Sequence, residues 1–390
     1  MRTLTLVVVT TNRAEYGLLY WLLDVLHRAD DVDLRLVVAG SHLSHKYGYT
    51  IDEITLAPWH IDKTIDYLRD GASDFGSQYA LISQQFYPYL QDTHPDLVIL
   101  LGDRYELLGF ANIAVVSGVP IAHISGGEIT EGAIDDRVRH GLTKLSDLHF
   151  VGSESFRRRV IQMGEAPERV FTVGELGLEH IHHRQTIDLF ATEPCQWHES
   201  RKPFMLVTFH AETASGADPL MQQNEVLAAL ETYLDQYNLL MTYPNCDRGG
   251  DILIHGLHDF KHRYPDSVHL EASLGFKRYG QALSEAALVI GNSSSGLYEA
   301  PAYGTFTVNI GDRQRGRLRG NSVLDTPCDR NQIITTIAAA LQLRQANFII
   351  ENPYGDGHCA DKILTILRRE LPRLTGIKPF IDLPDSGIAK

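Results

Sequence analysis

The sequence has little cysteine: four residues in 390, at Cys195, Cys246, Cys328 and Cys359, with no CxxC spacing among them. That excludes a disulfide framework or a zinc ribbon and leaves reduced thiols in packing roles. No apolar stretch reaches the roughly 20 residues that a membrane-spanning helix needs. The first residues form a strand-like run at 4–9 and carry no signal-peptide pattern. An excess of positive charge is also missing: 35 Lys and Arg stand against 49 Asp and Glu, a net charge of −14. Broad binding to nucleic acid or to an anionic membrane needs clustered positive charge, so neither is an expected partner. There is no GxGxxG and no HExxH or similar ligand spacing, so no dinucleotide cofactor and no metal are expected. The chain reads as soluble and cytoplasmic, and as needing no cofactor.

What is present is an ordinary globular composition, 44% hydrophobic and 22% charged, on a length that suits two domains. Short apolar, β-branched runs alternate with longer helical patterns. Strands are expected at 4–10, 34–39, 97–101, 120–124, 148–151 and 170–173 in the first half. In the second half they are expected near 204–208, 239–242, 268–270, 287–290 and 305–309. Helices are expected at 15–27, 76–90, 104–116 and 136–144, with Ser153 capping another. Such alternation predicts an α/β protein whose parallel sheets are covered on both faces. The polar stretch 180–203 reads as the connection between two α/β halves, and a cleft between them is one arrangement that fits. Ligands in such sheets sit beyond the carboxyl ends of the strands. That rule selects the loops at 10–17, 102–104, 125–136, 210–213, 244–250 and 291–296.

Several of these loops suit an anionic ligand or acid/base chemistry. GNSSSG at 291–296 lies between a strand and a helix expected to start near Leu297, where backbone N–H groups, hydroxyls and the helix dipole fit a diphosphate. A plain Ser cap with Gly for a tight turn is the alternative. Glu299, one turn on, could accept hydrogen bonds from ribose hydroxyls. Arg313, Arg315, Arg317 and Arg319 crowd into seven residues, either as a phosphate-facing loop or as a solvated basic one. Arg13 stands where it could meet an anion, and Glu15 could simply offset the dipole of the next helix. Asp103 ends a strand that reads as buried on both faces, so it is either a catalytic carboxylate or a helix N-cap. Glu128, Glu131, Asp135 and Asp136 share one loop ahead of Arg137, Arg139 and His140. Like charges held close push one pKa upward, which makes a carboxylate a useful acid or base near neutral pH. His210, at the end of the first strand of the second half, could donate to a phosphate or act as an acid.

In order along the chain, ten segments resemble the hydrolysing UDP-N-acetylglucosamine 2-epimerase family. They are NRAEYG at 12–17, GDRYE at 102–106, HISGGE at 123–128, IDDRVRHGLTKLSDLHF at 134–150, FHAET at 209–213, YPNCDRGG at 243–250, SLGFKRY at 273–279, GNSSSG at 291–296, NIGDRQRGR at 309–317 and NPYGDG at 352–357. The resemblance implies a GT-B fold: two Rossmann-like domains, at 1–180 and 181–365, with the active site between them. It also implies a C-terminal segment, 366–390, that crosses back onto the first domain, and a homodimer. A UDP-sugar is the implied substrate. On matching positions, Ser294, Ser295 and Gly296 would face the diphosphate, Glu299 the ribose, and Arg13 and His210 the phosphates. Glu15, Asn245 and Arg313 join that binding set. Asp103, Glu128 and Asp135, with His210, form the implied catalytic set. Two positions depart from the pattern: Ser125 stands where some relatives carry Glu, and Ala211 replaces the family's usual Pro, which would loosen His210 and Glu212.

The implied reaction is an elimination. A carboxylate takes the C2 proton as UDP leaves C1, and water then adds to the 2-acetamidoglycal with protonation on the opposite face. UDP-N-acetylglucosamine would give N-acetylmannosamine for sialic acid synthesis. UDP-N,N'-diacetylbacillosamine would give the 2,4-diacetamido-2,4,6-trideoxymannose used for legionaminic acid. A GT-B glycosyltransferase, a non-hydrolysing epimerase and a silent UDP-sugar sensor are the competing readings.

Overall fold

The computed structural model describes residues 2–45, 49–68, 74–130, 134–183, 186–189, 202–212, 218–244, 250–272, 274–346 and 348–382. The chain forms two compact units, one of Met1–Glu179 with Tyr354–Lys390 and the other of His180–Pro353. The first holds strands β1 (Leu4–Thr10), β2 (Val32–Ala39), β3 (Ile61–Ile65), β4 (Leu97–Leu101), β5 (Ile121–Ile124), β6 (Leu148–Val151) and β7 (Val170–Thr172). Its sheet runs β3-β2-β1-β4-β5-β6-β7, every pair parallel. The second unit holds β8 (Phe204–Thr208), β9 (Asn238–Thr242), β10 (Val268–Glu271), β11 (Val289–Gly291), β12 (Thr307–Ile310) and β13 (Val323–Thr326). Its parallel sheet runs β10-β9-β8-β11-β12-β13. Strand order reverses at β1/β4 in one sheet and at β8/β11 in the other, which are the crevices where such sheets take ligands.

The central strands read as unbroken apolar runs because both of their faces are buried. In β1, Leu6 and Val8 join one core while Val7 and Val9 join another on the opposite face. β4 divides in the same way, with Leu97, Ile99 and Leu101 on one side and Val98 and Leu100 on the other. Met205 and Val207 of β8 likewise face away from Phe204 and Leu206. On the Arg13–Arg28 helix, Leu19, Leu22, Leu23 and Leu26 form the helical stripe that covers β1. Gly291 closes β11 at φ 135°, and a Cβ there would lie 2.0 Å from the Thr208 carbonyl oxygen. Only glycine lets β11 and β8 run this close at the crevice.

The chain returns to the first unit at Tyr354 and not at 366. Glu175 donates its N–H to the Tyr354 carbonyl at 2.8 Å, and Tyr354 is fully buried. The helix Cys359–Glu370 then gives Ile363, Leu364 and Leu367 to the core around β1. Farther on, Lys378 donates to the carbonyls of Thr143 (3.3 Å), Lys144 (2.7 Å) and Ser146, and lies 2.9 Å from Glu165. It thereby caps the last turn of the helix Ile134–Leu145. No helix among the described residues is long and apolar enough to cross a membrane.

Candidate active site

At the β1/β4 crevice a polar clamp joins the two strand ends. Glu15, buried one turn into its helix, accepts from the Thr11 N–H at 2.8 Å. Both Glu15 Oε2 (2.8 Å) and Glu106 Oε1 (2.9 Å) lie within hydrogen-bond distance of the Thr11 hydroxyl. One hydroxyl hydrogen serves one acceptor, so the other contact requires a proton on a carboxyl. Burial, reinforced by the charge of Glu106, pushes Glu15 up to about 7. Glu15 thus closes the crevice floor, while Arg13, first in the same helix, is exposed.

Asp103 follows β4 and does not cap the next helix. That helix begins at Leu107, after a cap position, Glu106, that makes no side-chain cap bond. Asp103 instead receives a hydrogen bond from Arg139, whose Nη2 also donates to Thr130 Oγ1 at 3.1 Å. Arg139 is buried and lies 3.7 Å from Asp136, which accepts from the Thr130 N–H at 2.8 Å. Asp135 opens the same helix, Ile134–Leu145, and is half-buried. One guanidinium therefore ties the end of β4 to the start of that helix, where both aspartates stand. His123 is a packing residue. Its Nε2–H donates to the Gly102 carbonyl at 2.7 Å, and burial lowers its pKa to about 3. Glu128, half-buried in the loop after β5, is joined by a residue that sequence reasoning missed: Glu175, whose carboxyl accepts from Ser125 at 3.3 Å. Glu175 carries no motif, and only the fold brings 125 and 175 together. Glu131 lies outside the described residues.

The β8/β11 crevice has its own clamp. The Asn292 side chain accepts from the His210 N–H at 2.7 Å and donates to the His210 carbonyl at 2.9 Å. These two bonds fix the His210 backbone, so Ala211 in place of Pro does not loosen it. Glu212 is fixed as well, accepting from Asp312 N–H (2.8 Å) and Gln222 (3.2 Å). Arg313 and Gln314 donate to the Asn292 carbonyl at 3.2 and 2.8 Å. Arg319 pairs with Asp325, and Arg317 lies 5.9 Å over the Tyr298 ring. Much of the basic segment thus shapes its own loop.

The helix after GNSSSG is shorter than expected, only Ser295–Tyr298, and continues as the 3₁₀ turn Ala300–Tyr303. Pro301 lacks an N–H and stops α-helical bonding there. The dipole is correspondingly small, so the helix contributes less to this loop than its expected length implied. Ser295 Oγ contacts the Tyr279 hydroxyl and Ser293. Burial alone holds Glu299 up at about 7. Asn245 and Thr213 lie outside the described residues. Among the described residues no cluster of three His, Cys, Asp or Glu is arranged to hold a metal.

These shifts set a pH optimum for stability. Glu15 and Glu299 rise from 4.5 to about 7, so their contribution is complete below 4.5 and is lost as pH rises through 7. Burial lowers His42 from 6.5 to about 4 and His123 to about 3. Their contribution is present above 6.5 and is lost as pH falls through those values. The ligand-free thermal midpoint should therefore peak between about pH 5 and 6.5. A midpoint still climbing above pH 7 in calorimetry would contradict the carboxyl assignments.

Comparison with known proteins identifies this scaffold. The family profile described as UDP-N-acetylglucosamine 2-epimerase matches residues 24–368. The chain is 32% identical to the polysialic acid biosynthesis protein P7 of Escherichia coli, covering 97% of each chain. This chain belongs to the UDP-N-acetylglucosamine 2-epimerase family. Within the family it is 34% identical to the GDP/UDP-N,N'-diacetylbacillosamine 2-epimerase (hydrolyzing) of Campylobacter jejuni, over 82% of this chain and 83% of that one. The crystal structure of UDP-GlcNAc 2-epimerase from Neisseria meningitidis bound to UDP-GlcNAc superposes with a TM-score of 0.75 at 15% identity, covering 94% of this chain and 100% of that one. The fold is GT-B, with two Rossmann-like parallel sheets.

Proposed function

We propose that this family member removes UDP from a UDP-2-acetamido sugar and releases the free sugar inverted at C2. The hydrolysing 2-epimerases among its relatives support that reaction over glycosyl transfer or epimerisation with retention of UDP. The observation that carries the reading is the grouping of carboxyls at the ends of β4 and β5, with Asp103 and Glu128 on the strand-end loops and Asp135 at the next helix start.

In this reading one carboxylate takes the C2 proton as the C1–O bond breaks and UDP departs. A second carboxyl protonates C2 of the glycal from the other face while water supplies the hydroxyl at C1. Asp103, Glu128 and Asp135 form that acid/base set. His210, Arg13, Ser294, Ser295 and Gly296 take the diphosphate, where they stabilise the leaving group. Glu299, Arg313 and Asn245 complete the nucleotide contacts, and the homodimer belongs to the same reading. A UDP-sugar substrate implies a cytoplasmic enzyme.

The test is a panel of two UDP-sugars in D2O with product NMR. UDP-N-acetylglucosamine is expected to yield N-acetylmannosamine, for sialic acid synthesis. UDP-N,N'-diacetylbacillosamine is expected to yield the trideoxymannose that leads to legionaminic acid. In either case free UDP and deuterium at C2 accompany the product. A UDP-linked product, or no release of UDP from either sugar, would overturn the reading.

A further inference from the structure

Glu175 follows β7 and precedes the 3₁₀ segment Leu176–Ile181. Two separate strand ends adapt to it. After β5, Ser125 takes the left-handed conformation at φ 64° and donates its hydroxyl to Glu175 Oε2 at 3.3 Å. A non-glycine residue held there is strained. After β6 stands Gly152, where a Cβ would lie 1.7 Å from Glu175 Oε1. That Oε1 is buried, and no donor among the described residues reaches it. Glu128 faces the same carboxyl and is the neighbouring charge that acts most strongly on Glu175. The fold thus makes room, with a strained serine and an absent side chain, for a carboxyl that sits next to an acid/base carboxyl.

Two adjacent carboxylates partly withdrawn from water cannot both ionise cheaply, so such a pair holds one proton. We propose that Glu175 is a positioning residue for Glu128: it retains the proton of a Glu128–Glu175 carboxyl pair and donates it as a hydrogen bond, so that Glu128 meets the substrate ionised and fixed. The inference rests on the reading of Glu128 as an acid/base residue of the epimerase reaction. When Glu128 accepts a proton the pair holds two, and when Glu128 gives it up the pair returns to one. The Glu175 proton stays in place throughout. The other titratable groups facing Glu175 are Arg139, from the helix Ile134–Leu145, and Cys359, at the start of the last long helix. Arg139 is engaged by Asp103, and burial keeps the Cys359 thiol neutral. The surroundings agree: burial first, then the Glu128 charge, raise Glu175 well above the ordinary carboxyl range.

The test compares the full-length wild type with Glu175→Ala and Glu175→Gln. Alanine removes the donor, and kcat for UDP release should fall about tenfold with little change in KM, which matches roughly 1.4 kcal/mol of lost positioning. Glutamine, an amide donor at the same place, should restore most of that loss. The alkaline fall in kcat that marks loss of the Glu175 proton should be present in the wild type and absent in Glu175→Gln. Equal damage from both variants, or an unchanged alkaline limb in Glu175→Gln, would overturn the proposal. NMR of protein carrying ¹³C-labelled glutamate carboxyls decides the pairing without turnover. One carboxyl should titrate above neutrality in the wild type and vanish in Glu175→Gln, and its absence from the wild type would refute the pair. A wild type that releases no UDP while showing this titration would instead sink the functional reading alone.

Discussion

Asp103→Asn should lower kcat by about 10²–10⁴-fold, the range for losing a positioned acid or base, while UDP binding stays near the wild-type value. Asparagine keeps the size of the side chain and an oxygen that can accept from Arg139, so the tie from β4 to the helix Ile134–Leu145 is preserved. What is lost is the ability to carry a proton. Incorporation of deuterium at C2 from D2O should therefore disappear together with turnover. Arg139 retains Asp136 and Thr130 as neighbours, which limits structural damage from the lost charge. Turnover at the wild-type rate would remove Asp103 from the catalytic set.

Asn292→Ala should destabilise the second unit by about 2–6 kcal/mol. The buried His210 loses the acceptor for its N–H and the donor to its carbonyl in a single substitution. Each unsatisfied buried group costs roughly 1–3 kcal/mol. The loss should also slow catalysis, because the histidine proposed to meet the phosphates no longer has a fixed backbone. Asn292→Asp keeps the acceptor and forfeits the donor, so it tests the two bonds separately. The contacts of Arg313 and Gln314 use the main-chain carbonyl of residue 292 and survive either change. Urea denaturation followed by a probe in the second unit reports the effect, and a loss under about 0.5 kcal/mol would place the clamp among ordinary surface contacts.

The central strands were legible because two-sided burial writes itself as an apolar run: β1, β4, β6 and β8 match their expected spans residue for residue. β3 and β13 were missed. Both are edge strands, and Ile61-Asp-Lys-Thr-Ile65 buries only its last residue, so neither needs such a run. The loops that carry the site were also legible, since strand–loop–helix order points to the carboxyl ends. The contacts inside them were not. Asn292 meets His210 from 82 residues away, and Glu175 meets Ser125 from 50. Those partners are neighbours only because β11 lies on β8 and because β5, β6 and β7 run side by side. The short helix after GNSSSG was misjudged because Pro301, two positions past Glu299, truncates it.

The return of the chain at Tyr354 has a consequence for biosynthesis. Unit His180–Pro353 is one uninterrupted stretch, whereas its companion waits for the helix Cys359–Glu370, which is synthesised only after that whole unit. That helix buries Ile363, Leu364 and Leu367, worth roughly 5–9 kcal/mol in total. The whole margin of a folded domain is about 5–15 kcal/mol. The half of the molecule synthesised first is thus the last to be finished, and a nascent chain halted before residue 359 would expose the apolar side of the Arg13–Arg28 helix to chaperones.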